Sequence, residues 1–295
     1  TGKIMIEFEK ILLEEKPDLV LVVGDVNSTV ACAIDAVKLG IKVAHVESGL
    51  RSFDRSMPEE INRILTDSIS DFLFVSEPSG MTNLKAEGIE DTKIFEVGNV
   101  MIDSLVNNLD KANKLNIIHS FGIDSQNYGL VTLHRPSNVD DLQIISKIID
   151  SLSFIQKKIP LIFPIHPRTL KNIQSMGLLS DLELIPNLHI TGPLSYLEFI
   201  KLMKDSRIMI TDSGGIQEET TYFKVPCLTL RENTERPITL TDGSNQLVPI
   251  NKDSIISAFE KVFISKSNDY KIPNLWDGRA SNRIVKIIED IFYNG

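Results

Sequence analysis

The chain has 295 residues, 42% of them hydrophobic, enough to supply the cores of two domains. Its 31 basic and 40 acidic residues leave a net charge of -9, which argues against a nucleic-acid surface and requires any anionic ligand to be held by local groups. No apolar run reaches the length of a membrane span and Thr1-Gly2-Lys3 lacks the order of a signal peptide, so a soluble cytoplasmic protein is the expectation.

In chain order, apolar β-branched runs predict strands at 19–23, 42–46, 72–75, 94–97, 129–133, 161–165, 188–191, 208–211 and 227–230. Helical periodicity falls between them, near 29–39 and 58–69. Continuous apolar strands separated by helices predict parallel sheets covered on both faces, an α/β protein. The polar segment 107–126, with Lys111, Lys114, Asn116 and Ser125, has the composition of a helix and linker, which places a domain boundary near residue 125. Cys32 and Cys227 both lie in apolar segments, so buried thiols are expected and neither a disulfide framework nor a zinc site is indicated.

Ligands of open α/β sheets bind beyond the carboxyl ends of the strands. The residues there are Gly24-Asp25, His45-Val46-Glu47, His134-Arg135, His166-Pro167-Arg168 and Asp212-Ser213. The last opens the string Asp212-Ser213-Gly214-Gly215-Ile216-Gln217-Glu218-Glu219, at what reads as a helix start. Its glycines let backbone amides approach an anion, and the helix dipole favours a phosphate or diphosphate there. Glu219, on the next turn, is placed to accept hydrogen bonds from sugar hydroxyls. Alternatively Ser213 is only an N-cap and the glycines only a turn.

Asp25, Glu47 and Glu59 are carboxylates of the first domain, whereas His134, His166 and Ser213 belong to the second. A cleft between domains would bring the two sets to one ligand. Crowded carboxylates in a partly dry site would raise one another's pKa and suit proton transfer. His134 would be a charge partner for phosphate or a general acid, and Arg135 and Arg236 would add positive charge. Glu59 and Arg63 form an i,i+4 pair that could simply solvate a helix, and His45 reads equally as a core histidine. His166 is either fixed by turns at Pro164 and Pro167 or faces a ligand. The chain has no Gly-x-Gly-x-x-Gly turn, Walker loop, Gly-x-Ser-x-Gly elbow or His-Glu-x-x-His spacing. A diphosphate-linked sugar site with acid/base groups is what remains.

On several collinear strings the chain resembles the non-hydrolysing UDP-N-acetylglucosamine 2-epimerases. These are Gly24-Asp25-Val26-Asn27-Ser28-Thr29, His45-Val46-Glu47-Ser48-Gly49-Leu50-Arg51, Pro58-Glu59-Glu60-Ile61-Asn62-Arg63, Thr132-Leu133-His134-Arg135, Pro164-Ile165-His166-Pro167, Asp212 to Glu219, and Thr234-Glu235-Arg236-Pro237. The resemblance implies a GT-B arrangement of two Rossmann-like domains facing a cleft. The domains would be 1–125 and a UDP-binding 126–275, with a closing helix in 276–295, after Trp276-Asp277-Gly278, that returns to the first. Members of the family begin with a strand and a Gly-Thr-Arg-Pro-Glu loop, so a first domain without its initial β/α units is expected here.

The activity implied is interconversion of UDP-N-acetylglucosamine and UDP-N-acetylmannosamine without cofactor or metal, by elimination of UDP to 2-acetamidoglucal and re-addition. By motif match, Asp25, Glu47 and Glu59 do the acid/base work and His134 assists the leaving diphosphate. Ser213, Gly214 and Gly215 offer amides to the diphosphate, Glu219 takes the ribose hydroxyls, Phe199 stacks on uracil, and His166 lines the nucleotide pocket. Arg63, Arg135 and Arg236 complete the substrate contacts, and a homodimer is implied as well. Two other readings use the same residues: a hydrolysing relative that releases N-acetylmannosamine and UDP, and a non-catalytic UDP-sugar-binding chain.

Overall fold

The alternation of apolar runs and helices builds two parallel sheets in the computed structural model, which describes residues 1–265 and 269–293. One compact unit comprises Thr1–Asp103, Glu235–Ile238 and Pro273–Gly295; the other comprises Ser104–Thr234 and Thr239–Ile272.

The first unit runs α1 (Gly2–Glu15), β1 (Leu19–Val23), α2 (Asn27–Lys38), β2 (Lys42–Ser48), α3 (Pro58–Ile69), β3 (Phe72–Val75), α4 (Pro78–Ala86) and β4 (Ile94–Glu96). Its strands lie in the order β1-β2-β3-β4, all parallel. Val20, Val22 and Val43 pack with Ala33 and Ala36 of α2 and Leu12 of α1 on one side of the sheet, and Ala44, Val46, Phe74 and Val97 form a second cluster. α1 was not foreseen, and β1 is an edge strand with Leu21 and Val23 exposed. α3 starts where the sequence reading placed it, with Pro58 in its first turn beside Glu59 and Glu60, where a fixed φ and negative charge both favour a helix start. Between Val46 and Ser48 the β2–β3 register shifts, Glu47 takes φ 68, and Gly49 follows at φ 79.

α5 (Val100–Asn113) carries the boundary, between Asp103 and Ser104 rather than near residue 125. The segment read as linker belongs to the second unit, because Ile117, Ile118, Phe121 and Ile123 pack on Tyr128, Leu130 and Met209. That unit continues through β5 (Gly129–Thr132), α6 (Pro136–Val139), α7 (Leu142–Ile155), β6 (Leu161–Pro164), α8 (Pro167–Ser175), α9 (Leu179–Glu183), β7 (Leu188–Thr191), α10 (Tyr196–Lys204), β8 (Ile208–Thr211), α11 (Gly214–Phe223), β9 (Cys227–Thr229), α12 (Ile238–Thr241), β10 (Asn245–Leu247) and α13 (Lys252–Ile264). β10 escaped the sequence reading because Asn245 and Gln246 interrupt its apolar pattern. The sheet order is β10-β9-β8-β5-β6-β7, so successive strands run outward in opposite directions from β5 and β8. That reversal is the topological switch point at which ligands of such sheets bind. At the opposite, amino-terminal end of β5 the strands pack closely, and a Cβ on Gly129 would lie 2.7 Å from the Leu161 side chain.

The last helix, α14 (Ala280–Tyr293), belongs to the first unit. The Asp103 carboxylate accepts hydrogen bonds from the Ala280 and Ser281 amides at 3.0 and 2.6 Å, which caps the helix start. Ile284, Ile287 and Ile288 then pack against the Phe74 and Val97 cluster. Trp276, fully buried, donates from Nε1 to the Ser76 carbonyl at 2.9 Å. The second unit thus ends at Ile272, before the expected 275, and gives Glu235–Ile238 to the first. Both cysteines are free, Cys227 buried as expected but Cys32 only half-buried.

Candidate functional site

At the switch point of the second unit, β5 ends at Thr132 and β8 at Thr211, paired side by side with their hydroxyls 2.8 Å apart. The chain leaves β8 through Asp212, whose side chain is fully buried. Its carboxylate accepts from the backbone amides of His134 and Arg135 at 3.1 and 3.0 Å and from Asn138 Nδ2 at 3.1 Å, and lies 2.9 Å from His134 Nδ1. A buried carboxylate therefore fixes the whole loop after β5 and leaves the other edge of the His134 ring, half exposed, to face a ligand. Arg135 is turned back, donating from Nε to the Asp212 carbonyl at 3.0 Å.

α11 begins directly after Ser213. The first-turn amides of a helix have no intrahelical acceptor, so those of Gly214 and Gly215 are ready for an anion. The Ser213 amide differs from expectation: it donates to Thr211 Oγ1 at 3.1 Å. The Ser213 hydroxyl makes no capping bond, against the simple N-cap alternative. A cavity of about 240 Å³ opens here, and His134, His166, Phe199 and Ser213 all line it, together with Leu194 and Ile216. His166 stands exposed at the start of α8, its Nδ1 accepting from the Arg168 amide at 3.2 Å. Phe199 of α10 is half-buried and backs onto the Leu202 and Met203 cluster, so one face of the ring is core and another is cavity wall.

Glu219 lies deeper than the sequence suggested, only 4% exposed, and accepts a 2.8 Å hydrogen bond from the Tyr196 hydroxyl. Burial pushes its carboxyl up to about 7, against the Tyr196 hydrogen bond that pulls it down and with the Glu218 charge adding to the rise. It therefore changes charge near neutral pH, a property of functional sites.

In the first unit, Asp25 follows β1 at the Gly24 turn, where Gly24 takes φ 71. Its carboxylate, about one-third exposed, pairs with Arg63 Nη1 at 2.5 Å, and its carbonyl accepts from Asn62 Nδ2 at 2.8 Å. Arg63 is buried and also bonds Glu60. The i,i+4 pair of Glu59 with Arg63 expected from sequence is replaced by Arg63 with Asp25 and Glu60. Glu60 faces inward and takes the Ser52 and Phe53 amides at 2.9 Å, while Glu59 is exposed on the first turn of α3. Burial opposes charge on Glu60, but the Ser52 amide, Arg63 and the Phe53 amide hold its carboxyl below the usual range. Glu47 lies 3.7 Å from Arg236, one of the expected substrate contacts, which belongs to this unit. In place of the mutually repelling carboxylates expected, Asp25 and Glu47 are each set against a guanidinium.

His45 is a core histidine, fully buried between Asp67 and the Gly24 carbonyl. Sequence reasoning gave no role to Asp67, Asp212, Tyr196 or Glu60. Only Asp212, directly after a strand, carried a signal. Among the described residues no group of three His, Cys, Asp or Glu side chains is placed to hold a metal ion, and no helix is long and apolar enough to cross a membrane.

A family model described as UDP-N-acetylglucosamine 2-epimerase matches residues 1–289. The chain is 47% identical to the UDP-N-acetylglucosamine 2-epimerase of Methanococcus maripaludis, across 98% of this chain and 80% of the relative. It is 46% identical to that of Methanocaldococcus jannaschii, again across 98% and 80%. The crystal structure of the M. jannaschii enzyme in complex with UDP-GlcNAc and UDP superposes with a TM-score of 0.89, covering 97% of this chain and 80% of that one.

Proposed function

This chain belongs to the UDP-N-acetylglucosamine 2-epimerase family, and we propose that it interconverts UDP-N-acetylglucosamine and UDP-N-acetylmannosamine by inverting carbon 2. The observation that carries the reading is the cavity at the start of α11, where His134, His166, Phe199 and Ser213 converge beside the first-turn amides. That is a site for an aromatic nucleotide base and a diphosphate.

In the proposed mechanism a base removes the proton on carbon 2 while the bond from carbon 1 to the diphosphate oxygen breaks, its electron pair leaving with UDP. The product is 2-acetamidoglucal. Re-addition of UDP to carbon 1, with a proton delivered to the opposite face of carbon 2, gives the epimer. Asp25, Glu47 and Glu59 handle the protons. Arg63 and Arg236, set against Asp25 and Glu47, hold those carboxylates in place. In the second unit, Gly214 and Gly215 offer amides and Ser213 its hydroxyl to the diphosphate. His134, oriented by Asp212, stabilises the charge that grows on the leaving group. Phe199 stacks on uracil, His166 and Arg135 bound the nucleotide pocket, and Glu219 receives the ribose hydroxyls. The homodimer and the cytoplasmic location expected from the resemblance are part of the same proposal, and sedimentation velocity tests the first.

The deciding experiment incubates the chain with UDP-N-acetylglucosamine in deuterated water and follows carbon 2 by proton NMR. Deuterium at carbon 2 together with UDP-N-acetylmannosamine is the expected result. Free N-acetylmannosamine with UDP would instead identify a hydrolysing enzyme. Bound UDP without exchange at carbon 2 would overturn the epimerase reading in favour of a binding protein.

A further inference from the structure

Glu47 adopts φ 68, a left-handed backbone that is unfavourable for a residue with a side chain and persists only where its surroundings over-determine it. One buried carboxylate anchors the chain on either side of it. Asp67, in α3, has no exposed side-chain surface, and its oxygens grip the chain on both sides of Glu47. Oδ1 lies 2.6 Å from His45 Nδ1, two residues before, and Oδ2 accepts the Gly49 amide at 3.0 Å, two residues after. Arg51 Nη1 closes on Oδ2 at 2.7 Å and is itself held by both Glu87 oxygens, at 2.8 and 2.7 Å. From its other nitrogen, His45 reaches the Gly24 carbonyl at 2.9 Å, the residue before Asp25.

A fully buried charge is expensive, and an apolar side chain of similar volume fills such a space at lower cost. Here the charge ends on the two backbone segments that carry Glu47 and Asp25. We infer that Asp67 is a positioning residue that locks Glu47, and through His45 also Asp25, in the geometry needed for proton transfer at carbon 2. The inference rests on the epimerase reading and adds to it a residue that touches no substrate.

The test measures kcat, KM for UDP-N-acetylglucosamine, UDP affinity and thermal melting for wild type, Asp67→Asn and His45→Gln. Asparagine has one acceptor oxygen and no charge, so it cannot keep charge-assisted bonds to His45, Gly49 and Arg51 together, and the grip on the chain around Glu47 weakens. A displacement of about 1 Å at a reacting group costs on the order of 10²-fold, so kcat of Asp67→Asn falls by about that factor. KM and UDP affinity, set by the second unit, stay within about twofold. His45→Gln keeps the grip on Gly49 and loses about tenfold in kcat. An Asp67→Asn enzyme with wild-type kcat overturns the inference, as does a loss that appears only as melting of both variants. A wild-type chain that binds UDP but exchanges nothing at carbon 2 overturns the epimerase reading first, and this inference with it.

Discussion

Glu219 makes stability depend on pH in a way the structure specifies, and replacing it with glutamine removes that dependence. The Glu219 carboxyl is raised from an ordinary value of 4.5 to about 7, chiefly by burial. Between those values the folded protein holds a proton that the unfolded chain has released, so stability falls as pH rises through the window and levels off above it. At 1.36 kcal/mol for each pH unit between the two values, this corresponds to about 3 kcal/mol of destabilisation at pH 8 relative to pH 4. A glutamine at this position is neutral in both states and escapes it. Glu219→Gln is therefore near wild type in stability at pH 4 and gains about 3 kcal/mol by pH 8, most of it between pH 5 and 7. Hydrogen exchange of segment 208–223, compared between variant and wild type at each pH so that intrinsic exchange cancels, reads the difference at the site. A difference that stays flat with pH, or that grows toward acid, refutes the assignment.

If ribose hydroxyls donate to Glu219, UDP binding favours the charged form, so at pH 7 it releases up to about half a proton and affinity rises with pH through 7; titration calorimetry in two buffers of different ionisation enthalpy measures this. Tyr196→Phe removes a hydrogen bond that lowers the Glu219 pKa, so the same transition moves above about 7. Gly49→Ala places a Cβ 2.5 Å from the Gly80 carbonyl oxygen at φ 79, and it should destabilise the first unit by more than about 2 kcal/mol in urea unfolding. Trp276→Ala empties a fully buried site and should cost about 3–5 kcal/mol, with α14 losing hydrogen-exchange protection first.

Strand positions were legible because a buried parallel strand has to be apolar along its whole length. β1 and β3 begin and end where runs of Leu, Val and Phe do, and β7 and β8 begin on Leu188 and Ile208 and close on Thr191 and Thr211. Where the physics leaves no such trace, reading failed. β10 enters the sheet with two amide side chains, one of which, Asn245, is satisfied by Gln217 and Thr229. The domain boundary went astray for the opposite reason. Segment 107–126 is polar enough to resemble a linker, yet a few isoleucines and Phe121 suffice to lay it on the second sheet. Arg236 fell within the expected 126–275 domain because four residues of the first unit are embedded in a stretch otherwise belonging to the second.

The site divides along the same line. Residues at strand ends are found by counting, since the topology aims Asp25, Glu47, His134 and Ser213 beyond the sheets. What sets their chemistry lies one element away and leaves no pattern of spacing. His134 owes its orientation to Asp212 on the neighbouring strand, Asp25 is set against Arg63 of α3, and the backbone of Glu47 is pinned by Asp67, one turn further along that helix. α3 thus contributes exposed Glu59 from its first turn and buried Arg63 and Asp67 from its inner face. An error in its register would displace the supporting groups together. The acid/base half of the reaction should therefore be more sensitive to substitutions on the inner face of α3 than to loss of a surface charge that takes no part in proton transfer. Glu60→Gln is a sharp case, because it breaks the ion pair beneath Arg63 without touching Asp25. It should lower kcat about tenfold at unchanged UDP affinity. A Glu60→Gln enzyme that instead loses UDP binding and keeps kcat would place the function of α3 in ligand capture.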